Sequence, residues 1–254
     1  MRNFINYEES LNKLDSLDFK AKTKEKLFLT NAINRVLAYD VVASDNSPEY
    51  PTSAMDGYAI KYKDQKNDFI KIIDKNPAGF IVESKLEHGV SIKTFTGSLM
   101  PEGSDTLIPI ENVEVVNDSI KVIKEVPYGF ATREIGENYK KGEVLIKEGT
   151  VIGFAEIGVL ASLNIAQVLV YCKPTVSIAS TGSEILDLGE MQTNDSQIRS
   201  SNHLTIEALA KKAGADTIQM GVVEDDIDSI TNLLSSALEK SDIVVTTGGV
   251  SVGD

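Results

Sequence analysis

The sequence is poor in the side chains that build covalent or metal-bridged scaffolds. Its 254 residues include one cysteine, Cys172, and two histidines, His88 and His203. A lone cysteine closes no internal disulfide, and two histidines beside it are too few for a zinc cluster; a reduced, cytoplasmic compartment is expected. No apolar run approaches the roughly 20 residues a helix needs to span a bilayer, and the opening Met1-Arg2-Asn3-Phe4-Ile5-Asn6 lacks the apolar core of a signal peptide. No membrane association is therefore expected. Cations are also scarce. Against 38 Asp and Glu there are 25 Lys and Arg, a net charge of −13, with no basic patch or basic helix to neutralise a row of phosphates. Nucleic acid is excluded as a partner on that ground, whereas a local anion site is not. Internal repeats, low-complexity tracts and flexible linkers are missing as well. What remains is ordinary folded protein, 42% apolar and 25% charged, long enough for two or three domains.

The clearest pattern lies between Pro174 and Asp254. Three apolar runs each end in glycines, hydroxyls or carboxylates: Thr175–Ser180 before Thr181-Gly182-Ser183-Glu184, Asp216–Val223 before Glu224-Asp225-Asp226, and Asp242–Thr247 before Gly248-Gly249-Val250-Ser251-Val252-Gly253-Asp254. Between them, residues 202–213 and 227–238 carry apolar side chains at helical spacing. Strand, helix, strand, helix, strand forces parallel pairing through right-handed crossovers, so all three loops leave at the carboxyl edge, where open α/β sheets bind ligands.

Earlier in the chain, residues 7–17 and about 20–34 read as polar surface helices, and Val36 to Ala43 as a short strand. Turn formers from Ser44 to Pro51 then mark a domain boundary. Short β-type runs at Phe69–Ile73, Thr106–Ile110 and Ile120–Ile123 point to a small β domain. A helix near 153–163 and a strand from Gln167 to Tyr171 return to the domain begun at the N-terminus. The expected fold class is α/β multidomain: a helical/β N-terminal domain (1–45 and 140–173), an inserted β-rich domain (46–139), and an α/β domain with a parallel sheet (174–254).

Several residues could carry chemistry, each with a plainer reading beside it. Thr181-Gly182-Ser183 and Gly248-Gly249 could present free amides to an oxyanion, or be ordinary strand-to-helix turns. Glu184 and Asp225 could hold Mg²⁺ beside a phosphate, or serve their helices as first-turn acids. Asp226 reads as a helix cap. Asp56, in Ser53-Ala54-Met55-Asp56-Gly57-Tyr58-Ala59, reads first as the acid of an Asp-Gly turn, and Thr96 as a turn hydroxyl. His203 reads as a solvated residue near a helix start, and Cys172 as core packing.

Taken in order, Ser53–Ala59, Thr96-Gly97 with Pro101-Glu102-Gly103, Arg133 with Gly136-Glu137, Ser180–Glu184, and Gly248–Asp254 resemble the molybdopterin molybdenumtransferase family, which includes the C-terminal domain of gephyrin. The resemblance runs over nearly the whole chain. It implies a homodimer, a MogA-like α/β domain that holds the pterin, and Mg²⁺-assisted insertion of molybdate into adenylylated molybdopterin with release of AMP. A molybdopterin adenylyltransferase is the implied protein partner. Position by position, the family's functional acids and hydroxyl fall on Asp56, Thr96, Glu184 and Asp225, with Glu184 and Asp225 as metal ligands. The pterin contacts fall on Thr181, Gly182, Ser183, Gly248, Gly249, Ser251 and Gly253. Asn138 and Ser200 stand where the family usually or often carries an acid. The resemblance also implies a further functional acid, a lysine- and proline-containing anion loop and a β-barrel beyond Asp254, so residues 1–254 are expected to hold the first half of the site and to turn over little alone. A non-catalytic binding or scaffold module is the alternative. An enzyme of the competence-damage-inducible type calls for Gly-Gly-x-Gly-Pro-Thr at 248–253, and Val250-Ser251-Val252 departs from it.

Overall fold

A computed structural model describes residues 5–17 and 23–248. They form two compact units, one from the N-terminal segment to Asp40 together with the chain from Lys147 onward, the other from Val41 to Ile146.

In the first unit, helix α1 (Tyr7–Asp15) is capped by Asn6, whose side chain accepts from the Glu9 amide at 2.7 Å, and it buries no residue. The helix expected over 20–34 is not found. Lys24–Phe28 is a strand paired antiparallel with Gln167–Tyr171, followed by a 3₁₀ turn at Leu29–Asn31. Lysine and glutamate favour a helix locally, but pairing with a distant strand overrides a preference of a few tenths of a kcal/mol per residue. The run from Val36 to Ala43 is likewise not one strand. Val36 and Leu37 make isolated bridges to Val151 and Val170, and only Val41–Val42, in the second unit, pairs as a strand, with Val144–Ile146. Helix α2 (Phe154–Ser162) begins at Gly153, whose amide donates to the Glu156 carboxylate at 2.8 Å.

Three parallel strands follow. Thr175–Thr181 lies in the centre, flanked by Asp216–Val223 and Ile243–Thr247. Helices α3 (Asn202–Lys212) and α4 (Ile227–Lys240) connect them. The first crossover moves from the centre to one edge and the second back across to the other, so right-handed connections carry the two helices to opposite faces. Ile206 and Ala210 of α3 pack against Val176 and Ile178, while Leu233 and Ala237 are the buried residues of α4. Between Ile178 and Ala179 the register with the edge strand shifts: Ile178 opposes Gln219, Ala179 opposes Gly221, and Met220 is the extra residue of a β-bulge. Gly221 there has φ +79°, a left-handed conformation that costs glycine nothing.

The second unit is built on a six-stranded mixed sheet in the order Thr106–Pro109, Gly57–Ile60, Val90–Thr94, Ile70–Asn76, Ser119–Val122, Val113–Val116. Only the pair Ile70–Asn76 with Val90–Thr94 is parallel. Gly57–Ile60 is buried along its whole length. Its alternation sends Tyr58 and Ile60 into one apolar cluster with Ile70, Ile108 and Ile120, and Ala59 into another with Leu86, Ile92 and Leu107.

Candidate functional site

Two constellations of the anticipated residues are present, one in each unit. In the second unit the Asp56 loop precedes the buried strand Gly57–Ile60, and Gly57 is required there because a Cβ would lie 2.3 Å from the Ile108 carbonyl oxygen. The loop carrying Thr96 is tied to the same place by the Gly97 amide, which donates to the Ser53 carbonyl at 2.9 Å. Asp56 Oδ1 therefore accepts from both the amide and the hydroxyl of Thr96, at 2.8 and 2.7 Å. These hydrogen bonds, the hydroxyl's first, hold the carboxyl below its ordinary range, with Lys93 adding a smaller electrostatic contribution. The result is an exposed, fixed anion whose second oxygen makes no hydrogen bond to a described residue.

In the first unit the sheet register brings Thr181 level with Val223, and Ser180 level with Thr247, so the loops after all three strands leave at the same edge. The Gly182 amide donates to the Val223 carbonyl at 3.1 Å, joining two of these loops. Gly182 has φ +143°, and a Cβ on it would lie within 3.0 Å of both carboxylate oxygens of Glu184. Gly248 has φ +110°, and a Cβ on it would lie 2.4 Å from the Thr181 carbonyl oxygen. Both glycines are thus dictated by backbone conformation and by close approach. Ser180 and Thr247 hydroxyls meet at 2.8 Å beneath them.

Thr181, Gly182, Glu184 and Gly248 are therefore brought together, and Ser183 stands exposed beside them. Asp225 lies exposed on the neighbouring loop. Among the described residues no hydrogen bond links it to Glu184, and no group of three or more His, Cys, Asp or Glu side chains could hold a metal ion. Two exposed carboxylates at one sheet edge still suit Mg²⁺, which keeps several waters and takes only one or two carboxylates beside substrate phosphates. Gly249, Ser251 and Gly253 lie outside the described residues. Asp226 caps α4, accepting from the amides of Asp228 and Ser229 at 3.1 and 3.0 Å, and the Ser229 side chain first, then these amides, lower its pKa.

Two residues depart from their expected surroundings. His203 is 2% exposed rather than solvated, because the first turn of α3 is held against the edge strand, with Gln219 Nε2 donating to the His203 carbonyl at 3.3 Å. Asp187 Oδ1 lies 3.4 Å from its Nε2, out of line for a hydrogen bond. Helical periodicity at Leu204, Ile206 and Leu209 gave no signal for a polar residue turned inward. Cys172 is half-buried rather than core, its sulfur accepting from Thr23 Oγ1 at 3.4 Å.

Comparison with known proteins gives the family and the fold. Residues 5–164 match the model of the MoeA N-terminal region, domains I and II, and residues 177–254 match that of a probable molybdopterin binding domain. A molybdopterin molybdenumtransferase of Staphylococcus aureus is 35% identical over 232 residues, 89% of this chain and 55% of the relative. One from Nostoc sp. is 34% identical over 249 residues, 96% of this chain and 57% of the relative. The chain thus spans a little over half the length of these curated relatives. A solved molybdopterin biosynthesis MoeA protein of Pyrococcus horikoshii OT3 superposes with a TM-score of 0.88 at 32% identity, covering 98% of this chain and 68% of that one. With one family model matching more than half of its residues and the binding-domain model matching the α/β part, the chain belongs to the MoeA, or molybdopterin molybdenumtransferase, family.

Proposed function

We propose that this chain takes part in molybdenum cofactor biosynthesis as a molybdopterin molybdotransferase, inserting molybdate into adenylylated molybdopterin with release of AMP. The observation that carries the reading is the carboxyl edge of the parallel sheet, where Gly248 approaches Thr181, and Gly182 approaches Ile185 and Glu184, too closely to accept a side chain in place. Such a cradle lets a phosphate oxyanion come close to the backbone and to the hydroxyls of Thr181 and Ser183, the Gly182 amide itself being taken by the Val223 carbonyl. Gly249, Ser251 and Gly253 continue the cradle in sequence. Glu184 and Asp225 are the residues that would hold Mg²⁺, which when bound neutralises charge on phosphate and molybdate oxygens. Asp56, kept ionised by Thr96, would accept a hydrogen bond from substrate. The division into 1–45 with 140–173, 46–139 and 174–254, a homodimer, a cytoplasmic location and a molybdopterin adenylyltransferase as donor of the substrate belong to the same proposal.

The test is a set of variants in the full-length chain. Glu184→Gln and Asp225→Asn are expected to leave the melting temperature nearly unchanged while AMP release falls by orders of magnitude. Asp226→Asn weakens a cap and is expected to do the reverse, lowering the melting temperature by a few degrees with activity largely kept. Unaltered AMP release in the first two would leave those acids as exposed loop residues with no part in the chemistry, since Glu184 is followed by the strand Ile185–Leu186 and Asp225 precedes the cap of α4. Tight pterin binding with no turnover in the unsubstituted full-length chain would favour a binding or scaffold module instead.

A further inference from the structure

The 3₁₀ turn Tyr62–Lys66, in the second unit, buries two polar side chains, Asp64 and Gln65. Gln65 pins the turn in place, accepting from the Val126 amide at 3.0 Å and donating to the Val126 carbonyl at 3.2 Å. Asp64 is thereby fixed. With its side chain 7% exposed, it accepts from the Gly89 amide through Oδ2 at 3.0 Å and meets His88 Nδ1 through Oδ1 at 3.0 Å. An ionised carboxylate only accepts, so Nδ1 carries the proton and, in the neutral ring, Nε2 carries the lone pair. The His88 side chain itself is 69% exposed, and its Nε2 makes no hydrogen bond to a described residue. It lines a cavity of about 310 Å³ together with Lys61, Tyr62, Lys63, Asp105 and Tyr128, none of them an anticipated site residue. We infer that His88 is a phosphoryl-accepting histidine, oriented by Asp64 and modified at Nε2 by a small acyl phosphate bound in this cavity.

A nitrogen nucleophile needs a free lone pair and a counter-charge for the cation it becomes. When Nε2 bonds to phosphorus the ring turns into an imidazolium, and Asp64 already holds its Nδ1–H, so the charge forms beside a fixed anion. Lys61 and Lys63 face the other partner. Neither makes an ion pair or hydrogen bond through its ammonium group with a described residue, and together they outnumber the one acid on the lining, Asp105, whose Oδ1 is occupied by the Tyr62 amide at 2.6 Å. Two such ammonium groups can neutralise the oxygens of a phosphoryl group in transfer. The Tyr62 and Tyr128 rings, edge to face at 5.7 Å, complete the wall. Joining the turn to the following loop does not account for this arrangement, because the Gly89 amide already makes that connection. The volume lies at the lower end of the range for small-ligand sites, about 300–1,000 Å³, which suits a donor of a few atoms. In the step, the Nε2–phosphorus bond forms as the bond from phosphorus to the acyl oxygen breaks. The electron pair leaves on the carboxylate, the Nδ1 proton stays between the ring and Asp64, and no further reactant is consumed. The inference rests on neither the family relationship nor the proposed reaction.

Incubation of the full-length chain with phosphorus-32-labelled acetyl phosphate tests this directly. The label is expected on His88, stable in alkali and lost in acid as a phosphorus–nitrogen bond requires, and absent from His88→Gln. It is expected to form about tenfold faster or more than on the same histidine in an unfolded peptide of residues 83–93, which lacks Asp64 and both lysines. Asp64→Asn, checked for an unchanged melting temperature, should slow labelling by a similar factor, because an amide facing Nδ1 favours the other tautomer. Should that variant melt early, Lys61→Met with Lys63→Met, both outside the buried core, is expected to slow labelling several-fold in a stable protein. The proposal is overturned by absent label at His88, by labelling no faster than in the peptide, or by an unaltered rate in a stably folded Asp64→Asn or in the double lysine variant.

Discussion

Asp56 shows how a single residue changes meaning once its partner is known. As an acid before glycine it is indistinguishable from a turn residue, and Gly57 does meet a backbone demand, at 2.3 Å from the Ile108 carbonyl. What the sequence could not display is that Thr96 closes on the same oxygen with two donors. Those bonds lower the folded pKa of Asp56, so its contribution to stability is complete above the unfolded value of about 3.9 and is lost as pH falls through the lower folded value. Thr96→Val removes the hydroxyl and keeps the amide. The Asp56 pKa, followed by carboxyl-carbon resonance, is expected to rise toward its ordinary value, and the stability deficit of the variant to be present at pH 7 and to vanish once both proteins are fully protonated. An unchanged Asp56 pKa in Thr96→Val would show that the hydroxyl does not fix the carboxylate.

Among elements, those with their own period were legible. Gln167–Tyr171 and Asp216–Val223 occur with the bounds their flanking breakers indicate, and α3 and α4 occur where apolar spacing puts helices, although Leu204 and Leu209 of α3 and Ile227 and Leu238 of α4 stay exposed. Lys24–Phe28 was not legible, since what makes it a strand is Gln167–Tyr171 and not its own residues. The bulge in Asp216–Val223 was equally hidden, because an extra residue is defined only against a partner. It sets where the Asp225 loop emerges. If the bulge were drawn straight, Thr181 would oppose Val222 instead of Val223, and Asp225 would move outward by about 3.3 Å. Gly221→Val opposes the left-handed backbone at the bulge and is expected to abolish AMP release in the full-length chain. Deleting Met220 in that background removes the surplus residue and is expected to restore it. If the double variant remains as inactive as Gly221→Val, the bulge does not set the loop.

In the whole molecule, both crossings of the chain between its two units are closed at the base. Val41–Val42 pairs with Val144–Ile146 on one side of the junction; on the other, the Glu148 amide donates to Asp40 at 2.7 Å and the Gly149 amide to the Leu37 carbonyl at 2.8 Å. Residues 41–146 are accordingly expected to fold alone, with cooperative unfolding and dispersed amide resonances; a collapsed spectrum would contradict this. The closed junction also bears on the order of folding. Pairing Lys24–Phe28 with Gln167–Tyr171 means closing a loop through the whole of the second unit, and the entropy of that closure grows with the length of free chain. Once 41–146 has folded and its ends are pinned together, the effective loop shrinks to the short segments outside it. The inserted unit then acts on its host as a clasp, turning a slow, long-range encounter into a local one.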